Sequence, residues 1–178
     1  IPQKTRGKVA VIGSGPAGLT VAGDLAREGF NVMIFEGEQE AGGVLMYGIP
    51  EYRLPKDVVR KEVKKIEALG VTFITQCMVG QAITVDDMFE QGFDAVFIGS
   101  GTALPKSLDT PGYTLRGVTQ SSYFLRMASL CNTGSIGREE VPVKQGDIVG
   151  VIGGGNVAMD AARTALRMGA GKVYVLFR

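Results

Sequence analysis

The chain has 178 residues, 45% hydrophobic and 21% charged, with 19 Lys and Arg against 18 Asp and Glu, a formal net charge of +1 and no histidine. That length and apolar share can bury a core, while balanced charge without a basic block excludes the electrostatic footprint of a binder of nucleic acid or anionic membrane. No apolar run approaches ~18 residues and no signal-peptide pattern is read at the start, so the cytoplasm is the expected location.

Lys8 to Glu36 reads KVAVIGSGPAGLTVAGDLAREGFNVMIFE. An apolar run of strand type feeds a glycine cluster, an Ala/Leu-rich helical stretch follows, and a second apolar run closes the unit. This is the context in which a G-x-G-x-x-G match carries meaning. Gly13 allows the tight turn out of the strand, Gly15 lets backbone approach a pyrophosphate, and Gly18 lets the helix pack closely on the sheet. The helix start supplies unpaired N–H groups and the positive end of its dipole, so an anionic pyrophosphate is the natural ligand. Glu36 ends the second strand, where a carboxylate can accept hydrogen bonds from the hydroxyls of an adenosine ribose. The alternative is a plain glycine turn with a surface glutamate.

Further along, Val44 to Lys56 (VLMYGIPEYRLPK) mixes Gly, Pro, aromatic and basic residues and is read as a ligand-facing loop rather than a strand or helix. Lys56 to Leu69 is amphipathic, with Val59, Val63, Ile66 and Leu69 at helical spacing as core and the lysines between them as a solvated face. Gly70 stops it, and Val71 to Thr75 reads as a strand. Thr84 to Asp87 resembles a cap for a short helix. Phe93 to Ile98 reads as a fully apolar strand ending in Gly99-Ser100-Gly101-Thr102. Pro105 and Pro111-Gly112 mark a linker, Ser122 to Leu130 a helix, and Asn132 to Gly146 a loop.

The unit then recurs, about 140 residues after its first appearance, as VGVIGGGNVAMDAARTALRMGAGKVYVLFR from Val149 to Arg178. Its glycines are Gly153 and Gly155, its third position is Ala158, and the place of Glu36 falls on Phe177, followed by Arg178. A missing carboxylate removes the repulsion that a 2′-phosphate would feel, and an arginine there can bind that phosphate, which favours NADP over NAD. Alternatively Arg178 is only the polar end of a strand. Two such units predict two bound dinucleotides and electron transfer between them. Cys77 and Cys131 carry no C-x-x-C, so neither a dithiol pair nor an iron–sulfur cluster is expected on this chain; each reads as an apolar filler. With no histidine, His-based triads and His-ligated metals are excluded, and no metal site is expected.

With these motifs in view, the chain resembles the FAD- and NADPH-binding part of the glutamate synthase small (beta) subunit family. That group includes NADPH-dependent ferredoxin oxidoreductase subunits and the amino-terminal half of dihydropyrimidine dehydrogenase. The resemblance runs over essentially the whole chain, through VAVIGSGPAGL, EAGGVLMYGIPEYRLPK, FDAVFIGSGTALPKSLDTPG and GVIGGGNVAMDAARTALRMGA with VYVLFR. It implies FAD in the first unit, with Gly13, Ser14, Gly15, Pro16, Ala17 and Gly18 lining its pyrophosphate, and Glu36 and Gly37 at the adenosine ribose. It further implies Gly42, Gly43, Val44 and Leu45 at the flavin-side phosphates and ring, Arg53 reaching the FAD, Val79 near the adenine, and Gly101 and Thr102 where the chain leaves the FAD domain. Gly153, Gly154, Gly155, Asn156, Val157, Ala158 and Arg178 would hold NADPH. Asp160 matches the family's AMD segment, though an acid in the first turns of a helix is equally a local stabiliser.

The expected fold is therefore α/β with two Rossmann-like dinucleotide-binding units, both incomplete. Residues 1–105 form the first part of an FAD-binding domain, and 106–178 a linker and the start of an NADPH-binding domain. The resemblance implies an NADPH-dependent FAD oxidoreductase that accepts hydride from NADPH onto FAD and passes electrons through iron–sulfur centres to a partner, either an iron–sulfur domain or a large catalytic subunit. No side chain is expected to act as a catalytic acid or base. Relatives continue well past the position of Arg178, so the chain is expected to be a truncated piece, inactive alone. The alternatives are a noncatalytic dinucleotide-binding module and, disfavoured by the cysteine spacing, a thioredoxin-reductase-like enzyme.

Overall fold

The computed structural model describes residues 3–102, 104–106 and 108–178. Its chain divides into two compact units, one of Ile1–Met46 with Leu54–Ala103 and the other of Tyr47–Arg53 with Leu104–Arg178. Among the described residues no helix is long and apolar enough to cross a membrane.

In the first unit β1 (Lys8–Ile12), α1 (Pro16–Arg27), β2 (Asn31–Phe35), α2 (Val44–Tyr47), α3 (Lys56–Ala68), β3 (Thr72–Ile74), α4 (Val85–Glu90) and β4 (Ala95–Ile98) follow in order, with Tyr47 grouped in the second unit. The sheet is wholly parallel in the order β3-β2-β1-β4, with Ile12 beside Phe35 on one side and Ile98 on the other. Parallel strands joined through helices need apolar cover on both faces, and the side-chain alternation supplies it. Val11, Val32 and Ile34 pack with Leu19, Ala22 and Ala26 of α1 on one face, where Val63 and Ile66 of α3 also lie. Ala10 and Phe35 pack with Met88 and Phe93 on the other.

Local sequence accounts for the helix ends. Thr84 and Asp87 close a capping box on α4: the Asp87 N–H donates to the Thr84 hydroxyl (3.1 Å), and the Asp87 carboxylate accepts from the Thr84 N–H (2.8 Å) and hydroxyl. These bonds hold the Asp87 carboxyl below its ordinary range. The expected helix over 56–69 is α3, with Val59 buried and Lys61, Lys64 and Lys65 exposed. Lys56 departs from that solvated face. It is only 3% exposed, and its ammonium donates to the Leu45 carbonyl (2.8 Å).

Two further expectations are corrected. The 44–56 stretch is not all loop: Leu45 and Met46 N–H groups donate to the carbonyls of Gly42 and Gly43, and α2 forms one helical turn. The strand expected over 93–98 begins only at Ala95: Asp94 interrupts the apolar run and turns aside to accept from the Lys8 N–H (2.7 Å).

Arg60 of α3 forks onto Glu40 (2.7 and 3.1 Å) and reaches Asp57 (3.1 Å). The guanidinium hydrogen bond is the main cause holding the Glu40 carboxyl below its ordinary range. A depressed carboxyl adds stability above its unfolded pKa and loses it as pH falls through the folded value. Both side chains of the pair are about 40% exposed, so the contribution is under ~1 kcal/mol. Glu40→Gln is expected to lower the urea midpoint slightly at neutral pH and to converge with wild type in acid. A gap that widens in acid would contradict this pairing.

The second unit contains α5 (Ser121–Asn132), a 3-10 turn (Arg138–Glu140), β5 (Ile148–Ile152), α6 (Asn156–Arg167) and β6 (Lys172–Leu176). β5 and β6 pair in parallel, Ile152 beside Leu176. Val149, Val151 and Val173 turn toward a core of Phe124, Ala128, Val141, Val143, Ala161, Ala165 and Met168. The alternate residues Ile148, Ile152, Tyr174 and Leu176 are exposed.

Candidate dinucleotide-binding sites

The first glycine turn is built by close backbone approach. Gly13 has φ +90°, its N–H donates to the Phe35 carbonyl (2.8 Å), and a Cβ there would lie 2.6 Å from the Gly99 carbonyl oxygen. A Cβ on Gly18 would lie 1.9 Å from the Gly13 oxygen. Gly15, by contrast, faces open space, with nothing within 4 Å of such a Cβ. It is the N-cap of α1 and no side chain caps the helix start, while Pro16 and Ala17 beside it are exposed. This leaves room and backbone donors for an anion at the helix N-terminus.

Glu36 follows β2 directly and is 7% exposed. Its Oε2 accepts from the Ser14 N–H (2.9 Å) and the Ser14 hydroxyl, and its Oε1 accepts from the Glu38 N–H (2.8 Å). The Ser14 hydroxyl accepts in turn from the Gly42 N–H (3.0 Å). At Gly43, φ +52°, a Cβ would stand 2.9 Å from the Gly15 Cα, so the 42–43 turn lies against the phosphate turn. The structure thus brings Gly13, Ser14, Gly15, Gly18, Glu36, Gly42 and Gly43 together. Gly37 abuts Met78, and Val44 is exposed. Val79 packs on the core beside Phe35 and Phe93. Gly99 holds its N–H on the Ile12 carbonyl (2.8 Å), and Gly101 and Thr102 are exposed beyond it.

The second turn repeats the geometry with different chemistry. Gly153, φ +123°, donates to the Leu176 carbonyl (2.8 Å), as Gly13 does to Phe35. Strand register therefore puts Phe177 in the place of Glu36 and Arg178 in that of Gly37. Gly155 caps α6 and faces open space, with Asn156 and Val157 exposed. Ala158 stands at the position of Gly18, so this turn carries a methyl there, 3.5 Å from where a Cβ on Gly153 would lie. Phe177 lies over Gly154, 3.3 Å from the position of a Cβ there, and both Phe177 and Arg178 are exposed.

Arg53 and Asp160 form a pair that spacing in sequence does not announce. The guanidinium meets the buried Asp160 carboxylate at 2.7 Å, and the Tyr52 hydroxyl donates to its other oxygen at 3.2 Å. Arg163 and Arg167 of α6 lie over the Tyr52 ring, 4.6 and 4.0 Å from its centroid. Cys77 and Cys131 are free thiols packed against the cores of separate units, as fillers. Among the described residues no cluster of three metal-ligating side chains exists.

Two parallel strand–glycine turn–helix–strand units of one design define a Rossmann-like dinucleotide-binding protein. Residues 7–178 match the family model described as pyridine nucleotide-disulphide oxidoreductase, and the chain belongs to that family. An NADP(+)-dependent formate dehydrogenase subunit beta of Moorella thermoacetica is 43% identical over 173 residues, covering 96% of this chain and 23% of that one. A putative glutamate synthase (NADPH) small chain of Cereibacter sphaeroides is 39% identical over 170 residues, covering 96% and 41%. The resemblance to glutamate synthase small chains is thus found, and the chain spans less than half the length of these relatives. FprA of Mycobacterium tuberculosis, solved with NADPH, shares the fold at a TM-score of 0.79 and 24% identity, covering 96% of this chain and 43% of that one.

Proposed function

We propose that the first unit holds FAD and the second NADPH, in a flavin-dependent oxidoreductase that sends electrons to a partner through iron–sulfur centres, as the resemblance to glutamate synthase small subunits implies. The observation that carries this reading is the unequal duplication: one glycine turn keeps an acid after its second strand and the other replaces it with Phe177 and Arg178. Residues 1–105, apart from the 47–53 segment that groups with the second unit, would be FAD-binding, and 106–178 a linker and the start of the NADPH-binding domain. A partner subunit fits relatives whose own names mark them as subunits or small chains. The cytoplasm is the proposed location.

The residues fit these groups. Gly15 and Gly155 leave open space at bare helix starts, and Gly43 closes on Gly15 without a side chain between. The pyrophosphate of FAD would lie at Ser14 to Ala17, its adenosine ribose at Glu36, and its flavin side at Gly43 to Leu45. Lys56, through the Leu45 carbonyl, holds that last turn in place. Gly153 to Ala158 would take the NADPH pyrophosphate and Arg178 its 2′-phosphate. FAD, when bound, supplies hydride acceptance from NADPH and release of single electrons; the protein supplies position and electrostatics. No C-x-x-C is present to extend the relay to a disulfide.

Purified chain is expected to carry flavin absorbance or to bind added FAD. Glu36→Ala is expected to weaken that binding by about 1–3 kcal/mol through loss of a charge-assisted hydrogen bond to the ribose. A folded chain that takes up no FAD overturns the first-unit assignment, and unchanged affinity in Glu36→Ala removes Glu36 from the site.

A further inference from the structure

Ser14 sits in the middle of the glycine turn, yet its side chain is turned away from solvent and from the open space at Gly15. The residue is fully buried, its hydroxyl donates to Glu36 Oε2, and the Gly42 N–H donates to it from the other side at 3.0 Å. A hydroxyl has one proton, and a donor on its oxygen directs that proton elsewhere. Gly42 thus orients Ser14, and Ser14 orients the carboxylate. With the Ser14 N–H also on Oε2 and the Glu38 N–H on Oε1, three donors fix the plane of the Glu36 carboxylate. Of roughly four lone-pair sites on a carboxylate, the one left lies on Oε1.

The second unit supplies an internal comparison. Its register places Gly154 at the position of Ser14 and Phe177 at that of Glu36, so the hydroxyl and the carboxylate are absent together. Where there is no acid to orient, there is no serine. We infer that Ser14 is a positioning residue: its buried hydroxyl, set by the Gly42 N–H, holds the Glu36 carboxylate for the adenosine ribose of the dinucleotide. This rests on the FAD reading of the first unit. It changes the role of the Ser14 side chain from lining the pyrophosphate to acting through the acid.

The test uses the 178-residue chain and two flavins: FAD, which has an adenosine ribose, and FMN, which has none. Ser14→Ala is expected to weaken FAD about tenfold, the value of one charge-assisted hydrogen bond, and FMN less than about threefold. In a Glu36→Ala background the same change is expected to add less than about twofold to the loss of FAD, because the group it positions is gone. Equal losses for both flavins, an unaltered FAD affinity, or losses that multiply in the double variant each overturn the inference. Ser14→Gly, which copies Gly154, is read in the same way should the alanine variant not fold. In the wild-type protein the Gly42 amide is expected to be protected from hydrogen exchange, and exchange at the rate of an open loop counts against the bridge. Failure of the wild type to bind FAD sinks the parent reading, whereas FAD binding with indifferent Ser14 variants sinks only this one.

Discussion

Replacing Gly18 by valine is expected to abolish flavin binding and to destabilise the first unit by at least about 3 kcal/mol, the upper range for overpacking. The reason is the 1.9 Å separation between a Cβ at this position and the Gly13 carbonyl oxygen. That oxygen belongs to the backbone of the turn, so no rotamer change relieves the overlap. Either α1 lifts from β1, breaking the contacts of Leu19 and Ala22 with Val11 and Ile34, or Gly13 moves and loses its bond to Phe35. Urea unfolding and flavin retention measure the two consequences together. Ala158 provides the control, since the second turn already accepts a methyl there. Ala158→Gly is expected to cost only about 1 kcal/mol, from helix propensity. A Gly18→Val protein with a wild-type midpoint would show that the turn is far softer than its packing indicates.

The second large effect concerns cofactor choice. Arg178→Ala is expected to weaken NADPH by about 1.5–3 kcal/mol and NADH far less, because a charge-assisted bond to the 2′-phosphate is lost and nothing else changes. Arg178 is exposed, so the discrimination is also expected to shrink as salt rises. Titration of the two nucleotides against wild type and variant, at low and high salt, measures both. Equal losses for NADPH and NADH would assign Arg178 to the end of the strand rather than to the phosphate. Phe177 sharpens the expectation: it stands where the first unit has an acid and presents no charge to repel that phosphate.

The glycine turns were legible in the sequence because each position answers to a steric demand that only a small residue meets, and strand type on both sides gave the frame. The parallel units, the core faces of α1 and α3 and the Thr84 cap follow from periodicity and local hydrogen bonding. What stayed hidden depends on distance along the chain. Nothing near Ser14 announces that its hydroxyl meets Glu36, 22 residues away, and Arg53 is 107 residues from Asp160. Lys56 reads as one more lysine on a solvated helix, but it stands at the first turn of α3, where the Leu45 carbonyl meets its ammonium. Asp94 lies inside an otherwise apolar run, so hydrophobicity alone starts that strand early. The short α2 fails for the opposite reason. Gly48, Pro50 and Pro55 of the 44–56 stretch speak against a helix, yet two backbone bonds from Leu45 and Met46 suffice to make one turn ahead of them.

The Tyr52 clasp has a consequence for how this polypeptide can be divided and made. The residues that grip α6 are encoded between α2 and α3, so the chain passes between units at 46–47, 53–54 and 103–104 rather than at one hinge. A break at 103–104 leaves α6 without Tyr52 and Arg53, and leaves those two side chains with no helix to hold. On a ribosome the first unit emerges early, but the 47–53 segment must wait until residues 156–167 have been synthesised before Asp160, Arg163 and Arg167 can close on it. Folding of the second half is thereby written partly into the first, and neither half is a contiguous gene segment.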